Sequence, residues 1–141
     1  LKYQAALAMN DLITKILANE VKPETQDESK VSFAPTLKKE DGFLNFQHSS
    51  TEKIINQIRA LDPWPGTYCF LNKKRLKVFI AEPSYVKVAP GKIKNDMGQL
   101  LVGCADGTLK LSYLQLEGKK ACSDQELLNG LRGDLELTNE A

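Results

Sequence analysis

Two prolines separated by a single residue, Pro63 and Pro65, constrain this chain more than any other local feature. Each proline fixes φ and lacks an amide donor, so neither can continue a helix, and each pushes the residue before it toward extended backbone. Trp64, the only tryptophan, stands between them, and Gly66 follows. We therefore predict that a helix ends at Leu61 and that an extended elbow then leads into a β domain.

The tryptophan of this elbow is expected to be a packing anchor. A ring held between two prolines loses little further entropy on burial, and buried aromatic side chains are more often core than site. We expect Trp64 to be buried where the helix meets the following strands. The structural elbow comprises Arg59, Pro63, Trp64, Pro65 and Gly66.

Four sequence strings resemble the C-terminal part of the methionyl-tRNA formyltransferase family in their order and spacing. They are Gln-Asp-Glu-Ser at residues 26–29, Phe-Ala-Pro at 33–35, Ile-Arg-Ala-Leu-Asp-Pro-Trp-Pro-Gly at 58–66, and Asp-Gly-Thr-Leu-Lys-Leu at 106–111 continued by residues 114–121. The resemblance implies a parent enzyme that moves a formyl group from 10-formyltetrahydrofolate to the amino group of methionine on initiator tRNA. It also implies a C-terminal domain that holds tRNA largely through the charge of the RNA backbone.

The catalytic residues of that family do not occur in this sequence. In the family, formyl transfer is carried by an Asn, a His and an Asp of an N-terminal domain, with a His-x-Ser-Leu-Leu-Pro segment. The single histidine here, His48, stands at a loop-to-helix junction, where a His is usually solvated. We expect a fragment that is inactive alone and needs no cofactor: the last helix of the missing catalytic domain at residues 1–21, a linker at 22–48 and an OB-like domain at 49–141.

Composition predicts an ordinary globular protein, and its cysteines indicate a reducing cytoplasm; the family resemblance implies the bacterial cytoplasm or an organellar matrix. Hydrophobic residues make up 42% of the chain and charged residues 26%, and no window approaches the length of a membrane-spanning helix. The three cysteines, Cys69, Cys104 and Cys122, lie far apart, mostly among apolar neighbours, and are expected to be free thiols. No ligand spacing typical of a metal site occurs, so no metal is expected.

Apolar periodicity predicts two helices before the β domain. The first covers residues 5–20, and its apolar stripe is expected to pack against the missing catalytic domain. The second runs from a capping box formed by Ser49 and Glu52 to Leu61 and turns its apolar stripe inward, at Ile54, Ile55, Ile58 and Leu61. A linker with a short strand at residues 31–34 lies between them.

After Gly66, short apolar alternations predict a mainly β domain. We expect strands at residues 67–71, 76–81, 85–88, 100–104 and 108–116, with turns at 72–74, 90–91, 95–98 and 106–107. A second capping box, Ser123 with Glu126, opens a terminal helix that ends at Gly130. Five or six strands with such a helix are typical of an OB-like small barrel.

The charge is distributed unevenly, although the net charge is only +1. Residues 72–95 hold seven bases and one acid, whereas residues 117–141 hold six acids and three bases. We predict a belt that binds the phosphates of initiator tRNA, formed by Lys73, Lys74, Arg75, Lys77, Lys92 and Lys94. Phe79, Tyr85 and Tyr113 could stack on bases, but their alternation favours the core.

Two departures from the family pattern and two alternative functions remain open. Many members carry a lysine after the Ala-Pro of the linker, where this chain has Thr36; Lys38 and Lys39 are the candidates to replace it. The usual Asp-Trp pair is here Asn45 and Phe46. The alternatives are the C-terminal domain of an amino-sugar-nucleotide formyltransferase and a barrel that binds a protein and no nucleic acid.

Overall fold

A computed structural model describes residues 2–131 and 133–138 of the chain. The chain forms two compact units, Leu1–Pro35 and Thr36–Ala141. The second unit begins well before the boundary predicted at residue 49, because Leu44 and Phe46 are buried in its hydrophobic core. Residues 36–48 therefore belong to a folded unit and not to the linker.

The first unit contains the predicted helix, α1, at Lys2–Leu17. None of its residues is buried, and Met9, Leu12, Ile13 and Ile16 are each at least 40% exposed. A 3₁₀ turn follows at Glu28–Lys30. The strand predicted at residues 31–34 is wrong: this segment is irregular and exposed, because a strand exists only where a neighbouring strand accepts its backbone hydrogen bonds.

The second unit opens with a 3₁₀ turn at Lys39–Gly42 and helix α2 at Thr51–Ala60. The predicted capping box of α2 is wrong by one residue: the cap is Ser50, whose Oγ accepts from the Lys53 backbone N at 3.2 Å. The neighbouring Ser49 is buried instead. The second box is confirmed, since Ser123 caps helix α3 at Asp124–Gly130 in a reciprocal pair with Glu126.

Among the residues that the structure describes, seven strands follow the second helix. They are β1 Thr67–Leu71, β2 Lys74–Ser84, β3 Ile93–Asp96, β4 Gln99–Gly103, β5 Thr108–Leu116, β6 Cys122–Ser123 and β7 Leu137–Thr138. The strand order is β3-β4-β5-β2-β1-β7, with β6 paired to β5, and every pair of neighbours is antiparallel. Residues 85–88, predicted as a strand, form a bend and irregular backbone.

The sheet curls into a nearly closed barrel. On one edge Phe43 bridges to Tyr68 of β1, and on the other Pro90 bridges to Gly103 of β4. The two edge segments also approach each other, because a Cβ built at Gly91 would lie 3.1 Å from the Cβ of Gln47. The mainly β fold with flanking helices that the sequence predicted is thus confirmed.

One hydrophobic core fills the barrel and extends under α2 and α3. The inward positions of the strands supply most of it, as the alternation in the sequence predicted. Ile54 and Ile58 of α2 and Leu127 of α3 cover the ends. Within the described residues, no helix combines the length and the apolar character that crossing a membrane requires.

Candidate nucleic-acid interface

The segment between α2 and β1 is a tight turn. The backbone N of Gly66 donates to the Leu61 carbonyl oxygen at 2.9 Å, and residues 62–65 lie within the turn that this bond closes. Both X-Pro peptide bonds, at Pro63 and Pro65, are cis. Gly66 has φ of +75°, which a residue with a Cβ adopts only with strain. The extended elbow predicted from the two prolines is therefore wrong in conformation, although it lies where expected.

Trp64 is not the packing anchor that the sequence predicted, because its side chain is 56% exposed. The buried residues on the two sides of the turn are Leu61 and Thr67, at 7% and 4% exposure. Because Leu61 and Thr67 are buried, the middle of the turn lies toward solvent, and the indole ring of Trp64 is exposed there. Arg59, on the last turn of α2, is also exposed.

The turn at Lys39–Gly42 packs directly on this elbow. A Cβ built at Gly42 would overlap the carbonyl oxygen of Gly66 and lie 3.5 Å from the Tyr68 ring. The turn is held to α2 by Gln57, whose Nε2 donates to the carbonyl oxygens of Asp41 and Phe43 at 2.7 and 3.0 Å. The exposed Lys38 and Lys39 are thereby brought close to the elbow.

Arg75 on β2 is held in place by an aromatic ring. Its guanidinium carbon lies 3.7 Å from the centroid of Tyr68, a cation–π contact with the neighbouring strand β1. Its backbone N donates to Glu117 Oε2 at 3.2 Å. Its Nε is buried and has no hydrogen-bond partner among the described residues. Arg75 is thus a pre-positioned cation rather than a freely solvated one.

Two shallow concavities meet at Arg75 and Lys77. The first lies against the elbow and is also lined by Pro63, Pro65 and Phe79. The second lies toward β5 and the turn after it, where Gln115, Glu117 and Gly118 line it. As the alternation predicted, Arg75 and Lys77 occupy the face of β2 opposite the buried Leu76 and Val78.

Phe79 and Tyr113 are not in the core, contrary to the expectation from their spacing. They are 37% and 43% exposed, and their ring centroids lie 5.6 Å apart with the planes tilted by 46°. Tyr85, the third aromatic expected inside, is fully exposed. Phe79 lies on the same face of β2 as Arg75 and Lys77, so its exposure follows the alternation of that strand. The alternation fails at Ile80 and Tyr113, where the pairing of β2 with β5 is irregular.

The hairpin between β1 and β2 carries Lys73 in its turn and Lys74 at the start of β2, next to Arg75. Asn72 and Lys73 have φ of 49° and 66°, as two-residue hairpin turns require. The acidic C-terminal segment lies against this hairpin, because the Asn72 side chain bonds the Asp134 carbonyl oxygen and the Glu136 backbone N at 3.0 and 2.8 Å.

Lys92 and Lys94 stand at the β3 end of the strand order, although the closure of the barrel brings Lys92 into a concavity with residues 43–47 and Cys69. Strands β4 and β5 separate β3, which carries Lys94, from β2. The Nζ of Lys94 also pairs with Asp96 Oδ1 at 2.7 Å. The basic residues that the sequence grouped into one belt therefore extend from the β1–β2 hairpin to β3, and among them Arg75 and Lys77 lie beside the elbow and Phe79.

The three cysteines do not supply a reactive thiolate to this surface. Burial raises the pKa of Cys69 to about 12, and burial together with the charge of Asp106 raises the pKa of Cys104 to about 12. Cys122 is half-buried, and burial followed by the nearby Glu126 charge raises its pKa. Among the residues that the structure describes, no three His, Cys, Asp or Glu side chains are grouped to hold a metal ion.

Comparison with known proteins places the second unit in a defined family. The family model described as the formyl transferase C-terminal domain matches residues 36–132. Methionyl-tRNA formyltransferases from Citrifermentans bemidjiense and Geobacter sulfurreducens are 37% and 36% identical over 123 and 129 residues, or 86% and 90% of this chain. That from Malacoplasma penetrans is 39% identical over 127 residues, or 88% of this chain. The matches cover 38% to 40% of these relatives, so the chain spans about two fifths of their length.

Solved structures show the same fold. A variant of HypX from Aquifex aeolicus superposes with a TM-score of 0.60 at 19% identity, covering 89% of this chain and 24% of that one. HypX in complex with tetrahydrofolic acid gives a TM-score of 0.58 at 17% identity, covering 89% of this chain and 25% of the other. At these identities the likeness concerns the fold alone.

Proposed function

The chain belongs to the formyl transferase C-terminal domain family, and we propose that it is the tRNA-holding part of a methionyl-tRNA formyltransferase. In this proposal the barrel binds the phosphate backbone of initiator tRNA. The formyl group moves from 10-formyltetrahydrofolate to the methionine in a separate catalytic domain. The protein works where translation begins, in the cytoplasm or an organellar matrix.

The observation that carries the proposal is the position of Arg75 and Lys77 on the outer face of the barrel. Arg75 is already immobilised on Tyr68 at 3.7 Å, so little side-chain entropy is lost when a phosphate binds. A guanidinium matches phosphate oxygens in a planar two-donor geometry, and the exposed Lys77 adds a point charge beside it. Lys38 and Lys39, brought in by the packing of Gly42 on Gly66, extend the cationic surface.

The similarity to known proteins supports tRNA as the partner over an amino-sugar nucleotide or a protein. The three curated relatives described above are methionyl-tRNA formyltransferases, which supports the tRNA hypothesis over an amino-sugar nucleotide. The same similarity supports a nucleic-acid partner over a barrel that binds only protein. We infer binding to the RNA backbone in particular from the positive charge of Arg75 and Lys77. Such contacts to phosphates carry no sequence information.

We assign α1 a separate role within the same proposal. Its apolar residues at helical spacing, among them Leu12, Ile13 and Ile16, are 40% to 52% exposed. Such a stripe is normally covered in a folded protein. We propose that α1 is the last helix of the catalytic domain and packs against the sheet of that domain, with residues between α1 and Thr36 forming the linker.

The test is tRNA binding at several salt concentrations with two matched double variants. Each phosphate contact contributes roughly 0.7–0.9 to the slope of log K against log salt, so Arg75→Ala/Lys77→Ala should flatten it by about 1.4 to 1.8. Binding of initiator and elongator tRNA should fall alike. Lys92→Ala/Lys94→Ala removes the same charge from β3 and the residue before it. This variant should change the salt slope less, because Lys94 is already paired with Asp96.

Three results would contradict the proposal in different ways. If the chain binds no tRNA at low salt, the proposed function fails. If both double variants flatten the slope equally, the barrel binds through its general charge and the site at Arg75 fails. If one tRNA alone loses affinity at constant slope, the contact reads bases rather than phosphates.

A further inference from the structure

The strand that carries Arg75 and Lys77 pairs irregularly with β5 just after them, at Phe79 and Ile80. Along β2 the burial alternates through Val78, but Phe79 and Ile80 are both exposed, at 37% and 48%. The pairing with β5 explains this, because Val78 faces Leu114 while Ile80 faces Tyr113. Phe79 is skipped in this pairing on β2 and Ser112 on β5, so the register of Val78 with Leu114 is restored at Ala81 and Leu111. Phe79 itself keeps the outward face of Arg75 and Lys77, and Ile80 is the residue that leaves the alternation.

Two aromatic rings lie side by side on the outer surface of the sheet. The centroids of Phe79 and Tyr113 are 5.6 Å apart, and Tyr113 is 43% exposed. Because the ring planes are tilted by 46°, the two rings cannot both stack on one flat molecule. One ring can stack on a planar group while the other contacts its edge, which describes a shallow platform for a single heteroaromatic ring.

Positive charge lies next to this platform. Phe79 lines the same concavity as Arg75 and Lys77, beside the prolines of the elbow. Aromatic rings beside cations that follow a phosphate backbone are the combination by which OB-like barrels bind unpaired nucleotides. A base within a double helix has both faces covered by its neighbours, so only an unpaired base can use the platform.

We propose that Phe79 and Tyr113 form a stacking platform for one unpaired nucleobase of the bound RNA. The inference rests on the proposed function and refines it: Arg75 and Lys77 bind the phosphates next to this nucleotide, and the rings bind its base. The platform tolerates any base, because every base has a stacking face. It therefore contributes affinity for a single-stranded region without reading its sequence.

The experiment compares two RNA probes and three proteins. The probes are a single-stranded uridylate of about eight nucleotides and a duplex of the same length. The proteins are the unaltered chain, Phe79→Leu/Tyr113→Leu and Tyr85→Leu. The leucines keep an apolar side chain and remove the ring, and the melting temperature checks that the fold is retained. Tyr85→Leu is the matched control, because Tyr85 is fully exposed and lies outside the platform.

We expect the double variant to bind the single strand about 5-fold to 150-fold more weakly, because stacking contributes that much for one base. The salt slope should not change, since no charge is removed. Binding of the duplex should be unaffected, and Tyr85→Leu should behave as the unaltered protein. Phe79→Tyr/Tyr113→Phe, which keeps both rings, should retain full affinity.

Several outcomes would overturn the platform while leaving the proposed function intact. These are equal binding of the single strand by the double variant, an equal loss in Tyr85→Leu, an equal loss for the duplex, or a chain that binds tRNA but no single strand. Equal binding would assign the exposed rings to a polypeptide contact. A chain that binds neither probe nor tRNA would contradict the proposed function itself.

Discussion

The guanidinium of Arg75 stacks on the ring of Tyr68, with 3.7 Å between the guanidinium carbon and the ring centroid. The two residues lie on neighbouring strands, and each is only partly exposed. This contact distinguishes Arg75 from the neighbouring lysines, because stacking on the ring holds the guanidinium donors in a fixed plane and position. Substitutions of Tyr68 and of Arg75 can therefore separate two contributions to tRNA binding, the charge of Arg75 and its fixed position.

Tyr68→Leu should weaken tRNA binding without changing its salt dependence. The variant keeps the charge of Arg75 but removes the ring that immobilises it, so we expect a loss of about 2-fold to 10-fold at every salt concentration. Arg75→Ala should weaken binding and also flatten the slope by roughly 0.7–0.9. An unchanged affinity in Tyr68→Leu would mean that the stacking has no role in binding.

Trp64→Ala should change stability little, whereas Leu61→Ala should destabilise the domain strongly. The indole is 56% exposed, and its removal should cost no more than about 1 kcal/mol. Leu61 is 7% exposed, and its truncation should cost about 2–5 kcal/mol. Urea denaturation of both variants measures the difference. A larger cost for Trp64→Ala than for Leu61→Ala would restore the packing anchor expected from the sequence.

Gly42→Ala should destabilise the barrel, with Gly130→Ala as its control. The new methyl group at residue 42 would overlap the Gly66 carbonyl oxygen, so the turn must move away from the elbow, at a cost of about 1–3 kcal/mol. A Cβ at Gly130 meets nothing within 4 Å, and Gly130→Ala should stay within about 0.5 kcal/mol. Thermal unfolding tests this, and equal melting temperatures would exclude the close approach.

The thiols should react in a fixed order with an alkylating reagent at pH 8. Cys122 is the most accessible of the three and should react first, although slowly, because its pKa is raised and little thiolate is present. Cys69 and Cys104, with pKa values of about 12, should react only when the chain unfolds. Mass spectrometry of the labelled peptides identifies the order, and early labelling of Cys69 would contradict the buried core.

The chain alone should show no formyl transfer above background. We expect this because the Asn, His and Asp of the family's catalytic domain do not occur in its sequence, and the single histidine, His48, is exposed. The assay supplies 10-formyltetrahydrofolate and charged initiator tRNA and measures formylmethionine. Activity that disappears in His48→Ala would contradict the assignment of a binding role.

Much of the local structure was predictable from the sequence. Strands β1 and β5 and the end of α2 lie where the alternation and the first proline put them, because these signals act within a few residues. The serine cap of α3 was recognisable for the same reason. Strand β3 was missed, and its last two residues were predicted as part of a turn at 95–98. The two-residue strands β6 and β7 were also missed, since they exist only through pairing with residues of β5 and β1.

The sequence by itself determined the fold class, the presence and approximate extent of the helices, the β1–β2 hairpin and the basic character of β2. Only the tertiary structure decided which cations meet, that Trp64 points outward, and that Phe79 and Tyr113 are on the surface. A local pattern fixes alternation along one strand, but exposure depends on what packs across it. The irregular pairing of β2 with β5 interrupts the alternation at Ile80 and Tyr113, and it leaves the Tyr113 ring on the surface beside Phe79, which lines the same concavity as Arg75 and Lys77.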